Sequence, residues 1–389
     1  MGRLINKILY FIAVVMCYYG TWATHRSGQG KFDVDDMDPY LCTHLVYAFA
    51  GINDNGELTA LDPELDLADN GGNDNYRKFN ALKKKNPYLK TLLAVGGWGE
   101  GSAKYSKMAA DPVMRAAFIK TALKTLLDCG FNGMDMDWEY PTARDSVNGA
   151  ADVQNFVTLL KEMKSEFANY NLLLTAAVAA AKSSASVFYD IPAISKYLDY
   201  INIMAYDLRG PWESTTGYNA ALFRTASEAG QPLYSVLTDQ AAVRYWIQAG
   251  APVNKLLLGV PFYGHTYKLK DPNQNTVGSP SSGPGIAGPY TAQSGTISYN
   301  EFCVELVNKT ANWNVVYDTN AQVPYAYRGD DWVSYDNVRS IVAKTKYAKK
   351  LNLGGVMIWS IESDDFHALC GKKQFPLLKA INTELGNYV

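Results

Sequence analysis

The chain is poor in the residues that hold metals. Only four of its 389 residues are histidines (His25, His44, His265 and His367), and none forms an HxH or HExxH pair. A zinc or iron site has little basis, and no metal or other cofactor is expected. Charge of one sign is also scarce. The formal net charge is −2, without a long run of like charge, so there is no electrostatic case for nucleic acid or an anionic membrane as partner. Long apolar runs are missing too. Ile8–Met16, behind Arg3 and Lys7, is too short to cross a bilayer and reads as the centre of a secretory signal. The expected leader is residues 1–16, although its end runs into MCYYGTWA, which also reads as a first core strand. Cysteine is limited to five residues. They fit an oxidising compartment if four are paired. The expected pairs are Cys17 with Cys42 and Cys303 with Cys370. Cys129, inside the apolar LLDCGF, is left over as a buried free thiol. Asn308-Lys309-Thr310 is an N-glycosylation acceptor if the chain is secreted.

What is present centres on FNGMDMDWEYP, Phe131 to Pro141. Asp135, Asp137 and Glu139 occupy alternate positions, and side chains two apart on a strand share a face, roughly 6–7 Å apart. Were they a solvent face, three like charges in a row would repel for no purpose. Packed together and partly dry, they cannot all ionise near neutral pH, and at least one holds a proton. A protonated carboxyl beside ionised ones is the equipment of general acid catalysis. The 27 Tyr, 14 Phe and 8 Trp exceed what a core needs, and rings with a polar tip suit a sugar-binding surface.

Eight apolar runs read as strands: 14–22, 44–52, 90–97, 133–140, 172–179, 200–207, 255–263 and 354–361. Amphipathic helical patterns lie between them. FIKTALKTLLDCG stops at Gly130, and VQNFVTLLKEMKSEF, RYWIQAG, VRSIVAKTKYAKKLN and PLLKAINTEL follow the same spacing. Eight strand–helix units predict an α/β fold, a (β/α)8 TIM barrel over residues 14–389. Residues 264–335 break the rhythm. They are rich in Gly, Pro, Ser and Tyr and read as a small α+β insertion between strand 7 and helix 7, raising one wall of the active face. No internal repeat or linker is evident. In a parallel barrel, catalysis sits at the carboxyl ends of the strands, and Glu139 is expected to end the fourth.

FNGMDMDWEYP resembles the DxxDxDxE signature of glycoside hydrolase family 18, the chitinases and chitinase-like lectins. CYYGTWA, HLVYAFAGI, LLAVGGW, MAYDLRGPWE, GVPFYGHTY and GGVMIWSIESDDF resemble family segments in the family's order, from about residue 15 to 385. The pattern is similar to an animal, arthropod-type chitinase without an appended chitin-binding module. The resemblance implies a secreted, extracellular enzyme acting on chitin and chito-oligosaccharides, expected to be a monomer. It implies that Glu139 protonates the glycosidic oxygen and that the substrate's own N-acetyl oxygen attacks the anomeric carbon. Asp137 would bind the acetamido N–H, Asp135 would share a proton with Asp137, and Tyr206 and Asp207 would support the acetamido group. Trp359 matches a pocket floor on which a sugar rests. Trp98, Tyr18, Trp22, Phe49, Tyr140, Trp212 and Tyr263 match other cleft positions. Met204 packs under the sugar, and Gly96 and Gly97 let the backbone approach closely.

Four positions depart from the common pattern. Asn132 stands where the signature's first Asp is usual, which is expected to alter support of the acidic row. Ala94 replaces a Ser and removes one hydrogen bond to that row. His265 replaces the Arg of a YGR segment, and Glu362 takes a place often held by Asp. Two other readings stand beside the chitinase: a chitin lectin without hydrolysis, which usually lacks the terminal Glu or an acidic neighbour, and an endo-N-acetylglucosaminidase using the same chemistry on glycoproteins.

Overall fold

A computed structural model describes residues 13–387. Eight parallel strands close on themselves: Val14–Gly20, His44–Ile52, Lys90–Gly96, Gly133–Asp137, Leu173–Ala179, Tyr200–Met204, Leu256–Pro261 and Gly355–Trp359. Each pairs with its sequence neighbours, and the first also pairs with the eighth, Val14 opposite Gly355 and Cys17 opposite Ile358. The result is a (β/α)8 barrel. Its strands are buried almost throughout, as expected where helices cover the outside. A short strand, Leu58–Ala60, adds antiparallel to the second.

The helices follow local rules. Pro112–Cys129 begins on Asp111, whose carboxylate accepts the amides of Val113 and Met114, with Pro at the first helical position. It ends on Gly130 in the left-handed conformation, φ 82°. Asp152–Ala168 and Val338–Lys350 turn apolar stripes inward.

The seventh strand leads, after the single residue Phe262, into a second sheet. Its central strand, Tyr263–Leu269, pairs with Ser281–Pro284, Thr296–Ser298 and Asp331–Ser334, and the sheet continues through Val323–Arg328 to Asn314–Asp318. A helix, Tyr299–Val307, completes this α+β insertion. The disulfide Cys303–Cys370 fastens that helix to the loop after the eighth strand, and Cys17–Cys42 ties the first strand to the segment before the second.

Three expectations need correction. Val14, Val15 and Met16 are buried strand residues, so a leader ending at 16 overlaps the barrel; residues 1–12 lie outside the described residues. The fourth strand stops at Asp137 and leaves Glu139 two residues beyond it. Cys129 is half-buried rather than buried, although burial still pushes its thiol up, away from reactivity.

Candidate active site

The inward positions of the fourth strand carry the acids. Asp135 is fully buried. Its Oδ2 accepts the Tyr18 hydroxyl at 2.6 Å, and its Oδ1 accepts the Thr175 hydroxyl and, at 3.0 Å, the Asn202 amide. Burial lifts Asp135 to about 6, while these three donors hold it down. Asp137, one pleat higher, is also buried, and its Oδ1 has no hydrogen-bond partner among the described residues. Burial first, then the charges of Glu139 and Asp135, raise it well above the usual range. Because every neighbour of Asp135 donates, a proton shared by the pair belongs on Asp137.

Glu139 lines the cavity above them. Burial lifts its carboxyl to about 7; the Tyr140 hydroxyl and Arg144 pull it down, and Asp207 pushes it up. The loop holding it is braced. Trp138 Nε1 donates to Ser102 Oγ at 2.7 Å, and Ser102 donates to the Tyr140 carbonyl at 2.9 Å. Arg144 donates to the carbonyls of Trp98 and Glu139 at 2.7 and 3.2 Å, with its guanidinium carbon 3.9 Å from the Trp98 ring centroid. The peptide bonds Ala48–Phe49, Glu139–Tyr140 and Trp359–Ser360 are cis.

The cavity is a long cleft of about 1260 Å³ at the carboxyl ends of the strands. Trp359 lines it, with Phe49 stacked at 5.7 Å, Trp22 at 5.9 Å and Tyr18 edge-on at 5.5 Å. Trp98 and Trp212 also line it, at 62% and 63% exposure. Such exposure rules out a core role and leaves two flat rings for a ligand. Tyr140, Met204, Tyr206 and Asp207 complete the set. The Tyr206 hydroxyl meets only the weak acceptor Met357 Sδ at 3.8 Å, so its hydrogen is available to a stronger one.

Two expected ligand contacts do not line the cleft. A Cβ at Gly97 would meet the Phe49 ring at 2.7 Å, so its bareness makes room for Phe49 rather than for a ligand. At Gly96, which does line the cleft, a Cβ would lie 2.2 Å from the Asp137 carbonyl oxygen, so the requirement there comes from the neighbouring strand. Tyr263 donates to Asp207 Oδ1 at 2.5 Å and acts as its brace. The departures resolve similarly. Asn132 lies out of phase with the acids and bonds Thr91 and Lys83, away from the row. Beside Ala94 the row still has its three donors. Glu362 is buried and accepts the Gly20 amide at 3.2 Å and the Ser360 hydroxyl. Asn308 is exposed, with its side chain in a local turn to Thr310.

Thr175, Asn202, Ser102 and Arg144 escaped the sequence reading. The first two had a faint signal: a lone polar residue at an inward position of an apolar strand.

An acid that keeps its proton to about pH 7, with two more carboxyls below it and flat rings along the cleft, is matched to donating that proton to an oxygen between two sugars. The class is that of the glycoside hydrolases. Residues 14–364 match the model of Glycosyl hydrolases family 18. Probable chitinase 2 of Drosophila melanogaster is 39% identical, over 95% of this chain and 80% of that protein. The crystal structure of Ostrinia furnacalis Group IV chitinase in complex with allosamidin is 55% identical, with a TM-score of 0.94 over 96% of this chain and 99% of that one. Human YKL-39, described as a pseudo-chitinase with retained chitooligosaccharide binding properties, is 36% identical, with a TM-score of 0.87 over 96% and 100%. The chain belongs to glycosyl hydrolases family 18.

Proposed function

We propose that this protein is a secreted chitinase that hydrolyses β-1,4-linked N-acetylglucosamine with retention. The observation that carries the reading is the buried Oδ1 of Asp137, which has no partner among the described residues and whose carboxyl feels the charge of Glu139 two residues on. An acceptor left so in a dry site costs stability unless a ligand donor completes it. The acetamido N–H of the sugar is such a donor. Glu139 gives its proton to the bridging oxygen as the bond to the anomeric carbon breaks. The acetamido carbonyl oxygen forms the new bond there and yields an oxazolinium ion. Glu139, now a carboxylate, takes a proton from water, whose oxygen opens the ring and restores the configuration. Tyr206 and Asp207 hold the acetamido group, and Asp135 anchors the pair below. Trp359 carries the reacting sugar, and Trp98, Trp212, Trp22, Phe49 and Tyr140 carry its neighbours. Paired cysteines and an exposed Asn308 support secretion.

Chitin binding without hydrolysis is the second reading, favoured by the likeness to YKL-39. The full row of Asp135, Asp137 and Glu139, with Tyr206 and Asp207, weighs against it. Product analysis on defined chitin oligomers, wild type beside Glu139→Gln, separates the two. Cleavage by wild type is expected, with a loss of about 10²–10⁴ in kcat and retained binding in the variant. Equal cleavage of cello-oligosaccharides, which lack the acetamido group, overturns the mechanism.

A further inference from the structure

His265 lies on the insertion strand Tyr263–Leu269 and its ring is buried. Each ring nitrogen faces an oxygen. Nδ1 lies 3.0 Å from the Gly295 carbonyl oxygen, and Nε2 lies 2.8 Å from Oδ1 of Asp207. A carbonyl oxygen only accepts, so Nδ1 carries a hydrogen and donates. A neutral ring would then present a lone pair at Nε2. That lone pair would meet a carboxylate oxygen that already accepts the Tyr263 hydroxyl at 2.5 Å. Two acceptors do not make a 2.8 Å contact; a hydrogen on Nε2 does.

We infer that His265 is held as an imidazolium and that this cation positions the Asp207 carboxylate in the cleft. The inference rests on the glycosidase reading of the site. It makes His265 a positioning residue, since the ring acts through Asp207.

The surroundings fit. The Asp207 backbone is in the left-handed region, φ 52°, and its amide donates to Asn219 Oδ1 at 2.8 Å. The main chain is thus pinned, while the side chain is half exposed. Tyr263 and His265 both grip Oδ1, which leaves Oδ2 for a substrate. The titratable groups that meet the ring are Asp207 and, on its own strand, Tyr263. Trp212 packs edgewise at 5.2 Å, and the paired strands bring uncharged Thr296 and Ser334. A cation here also offsets the Asp207 charge, one of the causes that lift Glu139. An arginine would supply the same charge at every pH. Histidine supplies it only while protonated, so the grip on Asp207 weakens as pH rises.

The test uses the Glu139→Gln protein, in which hydrolysis and the Glu139 titration are both silenced. Chitotetraose affinity is measured calorimetrically from pH 5 to 9 for Glu139→Gln and for Glu139→Gln/His265→Arg. The two are expected to run parallel in acid and to separate with rising pH, the histidine protein losing about tenfold relative to the arginine protein. Nitrogen-15 NMR of His265 in Glu139→Gln is expected to show both ring nitrogens protonated at pH 5, with one proton lost over the interval where affinity falls. It needs no second substitution. An affinity ratio that stays constant, or a ring neutral throughout, overturns the inference. Failure of wild type to cleave chitin oligomers overturns the glycosidase reading instead.

Discussion

The Tyr18 hydroxyl donates to Oδ2 of Asp135 at 2.6 Å, joining the first barrel strand to the fourth across the interior. It also accepts from Asn202 at 2.9 Å, which fixes the direction of its own hydrogen. Tyr18→Phe removes a donor to the ionised form of Asp135, so that carboxyl rises further above about 6. The expected result is an acid limb of kcat moved to higher pH. Urea unfolding should show about 1–2 kcal/mol of lost stability, because buried partners are left unsatisfied. An unmoved acid limb counts against the shared proton.

Glu139 must be protonated to act as an acid. With its carboxyl lifted to about 7, activity is expected to fall as pH rises through that value. The Asp207 charge raises Glu139, so Asp207→Asn lowers it. The alkaline limb of kcat/KM should shift to lower pH, beyond any loss in rate. A full pH–rate profile of both proteins decides this.

The guanidinium of Arg144 lies over Trp98, whose ring is mostly exposed. Such a contact contributes on the order of 0.5–1 kcal/mol. Trp98→Ala and Arg144→Ala should each weaken binding of long oligomers more than of a dimer. In a double-mutant cycle of Kd the two losses should be less than additive. Full additivity shows that Arg144 does not position the ring.

Asp66 is 1% exposed and accepts the Tyr47 hydroxyl at 2.5 Å. Burial raises its carboxyl to about 6. The unfolded chain releases this proton near pH 4, whereas the native state keeps it to about pH 6. Between those values the native state binds more protons, so Asp66 contributes stability at low pH that is lost as pH rises. The loss is on the order of 3 kcal/mol. Asp66→Asn should flatten that part of the urea midpoint against pH, and parallel curves would contradict the assignment.

The barrel was legible because each strand is a compact apolar run between turn residues. The second strand, His44–Ile52, has its expected limits. Other ends were overrun, because sequence pattern alone does not say where pairing stops. WEY after Asp137 keeps the alternation of GMDMD but leaves the ladder. The acids were visible by spacing, and the cleft tryptophans by their match to a family. Thr175 was hidden because only the pairing register sets it opposite Asp135, and Asn202 because only the curl of the barrel brings the sixth strand within reach of that carboxylate. Arg144 was hidden because its role depends on a loop conformation with φ 60°. Gly97 was misread because close approach has two possible beneficiaries, a ligand or a neighbouring ring.

Only Phe262 separates the seventh barrel strand from the central strand of the insertion, and its amide is bonded to the Trp359 carbonyl at 2.9 Å. The wall that carries His265 thus grows directly out of the barrel strand that pairs with the one ending on Trp359. For a polysaccharide lying along the cleft, as the proposed function requires, one bank is thereby a continuation of the barrel's own hydrogen-bonded sheet.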